Sequence, residues 1–150
     1  MLSGKLVRLI ETHEEEITAS TVRSIRQHAE LPHLRTLAEL ELRERCQEIL
    51  QNLGHWLTHG NEDRLAREYE TIGQTRFEEA MPLDECVRGL CLIKDKMMAF
   101  LDAQGIDPDS LALYAEGQLV RRIGPFFDLL VIHLVRGYET ARRHAVFAAA

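Results

Sequence analysis

Apolar residues recur every three or four positions along almost the whole chain, and no stretch alternates apolar and polar residues. The three-to-four spacing lines one face of an α-helix, whereas strict alternation is typical of a half-buried strand. The pattern therefore predicts an all-α fold, a bundle of about five helices. Because the sequence has no internal repeat and no long linker, we expect residues 1–150 to form a single domain.

Turn and capping residues mark the ends of the first two predicted helices. The first covers about residues 3–28, because Leu31-Pro32-His33 follows it and the residue before a proline avoids the helical region. The second begins near Thr36, which has capping-box spacing with Glu39, and ends at Gly60. The stripe of the first helix consists of Leu2, Leu6, Leu9, Ile10, His13, Ile17, Ser24 and His28.

Similar signals delimit the next two helices. Asn61 suits the N-cap of the third helix, and Pro82 suits the first turn of the fourth. The fourth helix is predicted to run to about Gln104 and to end at Gly105. The expected buried lines are Leu65, Tyr69 and Ile72 on the third helix, and Leu83, Val87, Leu90, Met97 and Leu101, with Cys86, Ile93 and Met98, on the fourth.

The last predicted helix begins at Asp107 and Pro108 and is interrupted by Gly124-Pro125. Pro125 removes a backbone donor and Gly124 adds freedom, so we expect a kink. This kink either wraps the helix around the core or forms a hinge within a signalling helix, and the two interpretations are compatible. Residues 126–135 are apolar around most of the helix circumference and should be enclosed by other helices.

Composition excludes several classes of function. The net charge of −6 argues against a nucleic-acid-binding surface, which needs clustered basic residues. No secretory signal is visible, and the longest apolar run is shorter than the ~20 residues that a membrane-spanning helix requires. Cys46, Cys86 and Cys91 lack CxxC spacing and are typical of reduced, buried thiols. We therefore expect a cytoplasmic protein without membrane insertion.

Five polar side chains, His13, His28, Arg76, Lys94 and His133, fall on apolar stripes. A buried unpaired cation is costly, so Arg76 and Lys94 either reach solvent or a carboxylate, which we favour, or bind a small anion or a partner. His133 is either an axial haem ligand or, as we favour, a neutral core histidine bonded to a backbone carbonyl. The low-ranking ligand candidates are Arg76, Lys94, His13 and His133.

Motifs for metal binding and catalysis are missing from the sequence. His55 and His59 have the spacing of a helical metal clip, but no third ligand is evident. The one Glu-x-x-His match, residues 30–33, contains a proline, unlike the inward-facing pairs of di-iron bundles. No nucleophile elbow, phosphate-binding glycine loop or zinc pattern occurs. The sequence thus predicts a protein that is not an enzyme and has no metal or cofactor.

Four blocks along the chain resemble a known family. They are LIETHEEEI near the start, ILQNLGHWL in the second helix, MPLDECVRGLCLIKD in the fourth and RRIGPFFDLLVIHLVRGYETARR in the last. In order and spacing they resemble the N-terminal domain of RsbRD-type RsbT co-antagonist proteins, which are related to the stressosome. The resemblance covers nearly the whole chain and is most specific in the last two blocks.

This resemblance implies an all-helical cytoplasmic input domain of a bacterial stress-response signalling protein. In such proteins the domain precedes an output module such as a STAS domain or a histidine kinase, and related RsbR input domains are globin-like dimers without haem. The sequence ends at Ala150 with no output module, so the chain is either an excised domain or a stand-alone relative. The first and last helices are the candidate faces of a homodimer, because both carry more apolar surface than one face requires. On the first helix the extra residues are Val7, Val22 and Ile25, and the alternative is that such residues pack within the monomer.

Three functions remain open at this point. The leading hypothesis is a non-enzymatic input domain that acts as a dimer and transmits a shift through Gly124-Pro125 to its C-terminal end. The second is a globin-type haem or small-ligand sensor that uses His133 or His13, with Arg76 and Lys94 near an anionic group. The third is an adaptor that binds another protein through an exposed helix and senses no ligand.

Overall fold

The computed structural model describes residues 2–105 and 120–149, and within them it contains helices and no strand. This confirms the predicted all-α fold with a long C-terminal helix. The start predicted for that helix at Asp107 and Pro108 lies outside the described residues. The helices are α1 (Leu2–Thr12), α2 (Glu14–Gln27), α3 (Glu39–His59), α4 (Glu62–Glu78), α5 (Leu83–Ala103) and α6 (Ile123–Ala149), with a 3₁₀ turn at Leu34–Thr36.

The helices pack around a core to which each of them contributes. Helix α6 lies along α4 and also contacts α5, while α1 and α2 pack against α3, and α2 contacts α5. The side chains without solvent exposure include Leu53, Met97, Ile123, Phe126 and Leu130. Burial of this apolar surface is the main favourable contribution to folding.

The first predicted helix is in fact two helices that meet at His13. The backbone ladder continues through the bend, since the amide of His13 donates to Leu9 at 3.2 Å. The His13 ring donates from Nδ1 to the same carbonyl at 2.9 Å, and such side-chain bonds compete with the regular ladder. After the bend, the buried face of α2 differs from the predicted stripe and consists of Ile17, Thr18, Thr21, Val22 and Ile25.

The predicted capping box at Thr36 is wrong, whereas the helix end at Gly60 and the helix start at Asn61 are confirmed. Thr36 lies in the 3₁₀ turn, where its hydroxyl donates to the His33 carbonyl at 2.7 Å, and α3 begins three residues later. Gly60 ends α3 with a left-handed φ of 65°, as predicted. Asn61 caps α4 by accepting from the Arg64 amide at 3.2 Å, also as predicted.

The buried face of α5 is rotated relative to the predicted stripe. Pro82 directly precedes the helix, and Gly105 follows its end with a φ of 76°, so the limits agree with prediction. Leu83 and Val87 are half-buried. The residues that α5 buries are Glu85, Cys86, Gly89, Leu90, Ile93, Met97, Phe100 and Leu101. Among them Glu85 is polar, and an apolar pattern could not have selected it.

The expected full enclosure of residues 126–135 is wrong for part of the helix circumference. The face that meets α4 and α5 is buried, including Phe126, Phe127 and Leu130. On the opposite side Ile132 is 51% exposed. One face of α6 therefore meets the core, and apolar residues on the other face remain available to a partner.

Two glycines allow the backbones of α4 and α6 to touch. A Cβ atom on Gly73 would lie 2.1 Å from the carbonyl oxygen of Leu134, and one on Gly137 would lie 1.9 Å from that of Glu70. Real side-chain atoms do not approach backbone so closely, so any larger residue forces the helices apart. Beside this crossing the Tyr138 hydroxyl donates to the buried Met81 carbonyl at 2.8 Å.

We expect Gly137→Ala to destabilise the fold although alanine is the better helix former. Helix propensity favours the change by about 1 kcal/mol, whereas forcing a methyl group against the α4 backbone costs about 3 kcal/mol. The free energy of unfolding in urea should therefore fall by about 2 kcal/mol. Gly73→Ala should behave in the same way.

Gly54→Ala is the matched control. Gly54 also lies within a helix, but its Cβ would meet Val7 at 3.7 Å, an ordinary contact distance. This variant should be neutral or more stable by up to about 1 kcal/mol. Equal losses of stability in Gly54→Ala and Gly137→Ala would show that the crossing is not tight.

Candidate functional site

A cavity of about 80 Å³ lies inside the helical bundle and opens to solvent on one side. Most of its wall is apolar, and it includes the thiol-bearing residues Cys46 and Cys86. The charged residues on the wall are Arg45, Glu48 and Arg76. The apolar lining consists of Ile25, Leu34, Leu42, Ile49, Ile72, Met81, Leu90, Ile93 and Leu134.

Two guanidinium groups form the polar edge of this cavity. The side chains of Arg45 and Arg76 are each 17% exposed. Both contact Glu79, at 3.1 Å from Arg45 and 3.4 Å from Arg76, and Arg45 also contacts Glu41 at 2.7 Å. Neither Glu41 nor Glu79 lines the cavity, and both are more than a third exposed. The carboxylates thus bind the arginines from the solvent side.

The surroundings of this edge disfavour the charged forms of both Arg76 and Glu48. Burial, followed by the proximity of Arg45, lowers the pKa of Arg76. Burial, followed by a hydrogen bond with Glu68, raises the pKa of Glu48. Both directions follow from the rules that burial disfavours charge and that like charges repel.

The sulfur and phenol groups of the cavity wall are poor nucleophiles at neutral pH. Burial raises the pKa of Cys86 to about 11, although Arg76 and Arg45 oppose this shift. Burial also raises the pKa of Cys46 and of Tyr69. Because the thiolate is the reactive form, these thiols act here as small apolar groups.

The structure places Arg76 at the cavity but keeps the other candidate residues away from it. His13 lies at the bend between α1 and α2, with its ring 5.0 Å from that of Phe100. Lys94 is half-buried on α5 and does not line the cavity. The four candidates therefore do not form one cluster, and the ligand role of Arg76 stays a prediction.

His133 is buried on α6, but it does not bond to a backbone carbonyl as we expected. Neither ring nitrogen has a hydrogen-bond partner among the described residues. A carboxylate oxygen of Glu70 lies 3.7 Å from Nδ1, and Glu70 also lies 3.6 Å from Arg136.

Gly124-Pro125 lies in the first turn of α6, directly after a break in the helix at Arg122. Residues 120 and 121 are helical, Arg122 forms a turn, and α6 begins at Ile123. Proline is tolerated in a first turn because the amides there have no partner within the helix. The Arg122 guanidinium donates to the Trp56 and Leu57 carbonyls at 3.2 and 3.3 Å, which joins this break to the end of α3.

Sequence reasoning missed Arg45 and Glu79, although a signal existed for the first. Arg45 follows Leu42 by three positions and precedes Ile49 by four, so it borders the buried stripe of α3. Glu79 lies at the C-cap of α4, where an acidic residue is unfavourable for the helix dipole. Its pairing with two arginines explains why it is tolerated there.

Sequence reasoning also missed the most buried acidic residue described. Glu85 is 2% exposed and accepts hydrogen bonds from the amides of His33 at 2.9 Å and Leu34 at 3.1 Å. The His33 ring donates to the same carboxylate. Since Glu85 lies in the first turn of α5, the helix dipole also stabilises its charge. This group therefore holds the connection between α2 and α3 against α5.

The structure brings no metal site together among residues 2–105 and 120–149. No group of three or more histidine, cysteine, aspartate or glutamate side chains there is arranged to hold a metal ion. The rings of His55 and His59 lie 4.6 Å apart, and Arg64 is within hydrogen-bond distance of His55. A nearby cation disfavours metal binding to that pair.

Comparison with known families matches residues 15–149 to the model described as the RsbT co-antagonist protein rsbRD N-terminal domain. The chain belongs to this family. The RsbRD N-terminal domain indicates a regulatory input domain of stressosome-related signalling, in agreement with the four sequence blocks. No curated protein and no solved structure matches the chain significantly. Among the described helices of this RsbRD N-terminal domain, none is long and apolar enough to span a membrane.

We expect one of the three cysteines to react rapidly with DTNB in the folded protein. Cys91 is exposed, whereas Cys46 and Cys86 are buried. With a pKa of about 11, roughly one Cys86 thiol in a thousand is ionised at about pH 8. Absorbance should report one fast equivalent in buffer and three in denaturant. Cys91→Ser should remove the fast equivalent, and two fast equivalents in the folded wild type would contradict the assignment.

Proposed function

We propose that this chain is a non-enzymatic input domain of a cytoplasmic signalling protein, which works as a homodimer and passes a shift in its core to the C-terminal end of α6. Membership in the RsbRD N-terminal family supports the signalling role. Its downstream partner would be an output module of the STAS or histidine kinase type. In this proposal residues 1–150 act as a single domain.

The exposed apolar residues of α6 are the observation that carries the proposal. Ile132 is 51%, Val146 65% and Phe147 79% exposed. Ile132 and Val146 are two heptads apart and so lie on one side of the helix, with Glu139 at the heptad position between them. Large exposed apolar side chains of this kind mark interaction surfaces when they occur along one stripe.

The structure favours α6 over the first helices as the dimer face. Val22 and Ile25, which gave the first predicted helix its extra apolar surface, are 3% and 5% exposed within one chain. Val7 is partly buried against the core. These residues pack within the monomer, so an interface through α1 and α2 would lack an apolar centre.

The break before α6 supports the proposed hinge at Gly124-Pro125. Arg122 fixes the chain to the end of α3, and α6 starts directly afterwards. A Cβ atom on Gly124 would meet none of the described residues within 4 Å, so no described side chain packs against this glycine. A shift of the helices around the cavity would therefore reach α6 at this point.

The size of the cavity disfavours the haem-sensor alternative. Drug-sized and cofactor ligands occupy pockets of about 300–1,000 Å³, several times the volume found here. Neither His13 nor His133 lines this cavity. A smaller ligand is compatible with the volume.

Sedimentation of the purified chain tests the dimer. We expect a dimer at micromolar concentration, and Ile132→Glu should weaken association by about tenfold or more, because it places a charge in the apolar centre of the interface. The measurement is the concentration dependence of the solution mass. A mass equal to one chain at high concentration would refute the dimer mechanism.

Leu40→Glu supplies the matched control for this experiment. Leu40 is 68% exposed but lies at the start of α3, away from the α6 stripe. The same substitution there should leave the solution mass unchanged. Equal loss of dimer in the two variants would point to a general effect of charge and not to an α6 interface.

A further inference from the structure

We propose that the cavity binds a small organic anion, a monocarboxylate with a short hydrocarbon chain, whose carboxylate meets Arg45 and Arg76 and whose chain fills the apolar interior. This inference rests on the proposed input function, because it names the class of ligand that such a domain would sense. It adds Arg45 to the predicted Arg76 and excludes Lys94 from the site.

The interior suits a short apolar chain better than water. An apolar cavity of ~150 Å³ in another protein stays dry and binds benzene. The space here has about half that volume and is open to solvent, so it holds part of a short hydrocarbon chain while the rest of the ligand lies in the opening. Here the wall is built from aliphatic side chains and two protonated thiols, which offer few hydrogen bonds to water. Filling this space would replace lost dispersion contacts and would remove apolar surface from water.

The guanidinium groups supply the anion specificity. Within the described part of the chain, Arg76 uses Nη1 for Glu79 at 3.4 Å, which leaves its other N–H donors for a ligand. Arg45 uses Nη2 for both of its carboxylates. A planar guanidinium matches a carboxylate in a paired, charge-assisted geometry, and partial burial strengthens that attraction.

The carboxylates at this edge do not fill the ligand position. Glu41 and Glu79 bind the arginines from the solvent side and lie outside the cavity wall. Glu48 does line the cavity, but burial and its hydrogen bond with Glu68 raise its pKa and so disfavour its negative charge. A ligand carboxylate would approach the arginines from the cavity side and complete their coordination.

A ligand in the cavity would contact α6 through Leu134. This residue lines the cavity, and its carbonyl oxygen is the atom that Gly73 allows to approach α4. Tyr69, one turn before Gly73, and Ile72, directly before it, line the same cavity. A ligand chain would therefore contact both helices beside their closest approach.

Calorimetric titration of the full chain with hexanoate tests the proposal. We expect saturable binding of hexanoate, and binding at least about tenfold weaker for hexanol, which lacks the charge, and for acetate, which lacks the chain. Arg76→Gln should weaken hexanoate binding by about tenfold. Arg67→Gln, an exposed site on the same helix, should leave it unchanged.

A second variant examines the interior independently of the arginines. Cys86→Met adds volume to the wall and should abolish hexanoate binding while the melting temperature shows that the domain remains folded. Any of three results would overturn the proposal. They are no hexanoate binding by the wild type, equal affinity for hexanoate and hexanol, and equal losses of hexanoate affinity in Arg67→Gln and Arg76→Gln. A monomeric protein that binds hexanoate would instead refute the dimer mechanism alone, and a dimer without binding would refute this site alone.

Discussion

The contact between the backbones of α4 and α6 is the constraint on which the rest of the structure depends. Gly73 and Gly137 remove the side chains that would separate the two helices, and each helix places a carbonyl where a Cβ would otherwise be. Close approach brings the large side chains on both sides into the core, among them Tyr69 and Leu130. The position of α6 therefore depends on the absence of side chains at Gly73 and Gly137 as much as on its apolar residues.

This close packing also explains why the cavity lies where it does. The α4–α6 pair is held together at Gly73, while the wall opposite comes from α2, α3 and α5. Gly89 on α5 adds no side chain to the wall, and Cys46 and Cys86 add small ones. Small residues on α3 and α5 leave a space that larger aliphatic residues would have filled, and the partly buried Arg45 and Arg76 border it.

The elements that could be predicted from the sequence are those governed by local rules. Gly60 and Asn61 mark a helix end and a helix start by backbone geometry and a single side-chain bond, so residue type was sufficient. The bend at His13 and the displaced start of α3 were missed because they depend on bonds to particular carbonyls. Periodicity identified the apolar face of α6 but overestimated its burial, since it cannot show which side lacks a neighbour among the described helices.

The candidate site was harder to predict because its members come from distant parts of the chain. Arg76 stood out on an apolar stripe. The pairing of Arg45 with Glu79 becomes apparent only when α3 and α4 lie side by side. Glu85 gave no signal at all, since its hydrogen-bond donors belong to residues about fifty positions earlier. Such groups form only when helices that are distant in the sequence pack together. The helical period of the sequence carries no information about which helices do so.

The place of Gly137 within α6 has a mechanical consequence. From Gly137 the helix extends roughly 21 Å back to Ile123 and roughly 18 Å forward to Ala149, at 1.5 Å per residue. The backbone contact there prevents sliding, and the adjacent Tyr138 hydroxyl bond opposes rotation about the helix axis. A tilt about that point is the motion that these two contacts oppose least, and a rigid helix tilted there would move its two ends in opposite directions by similar distances.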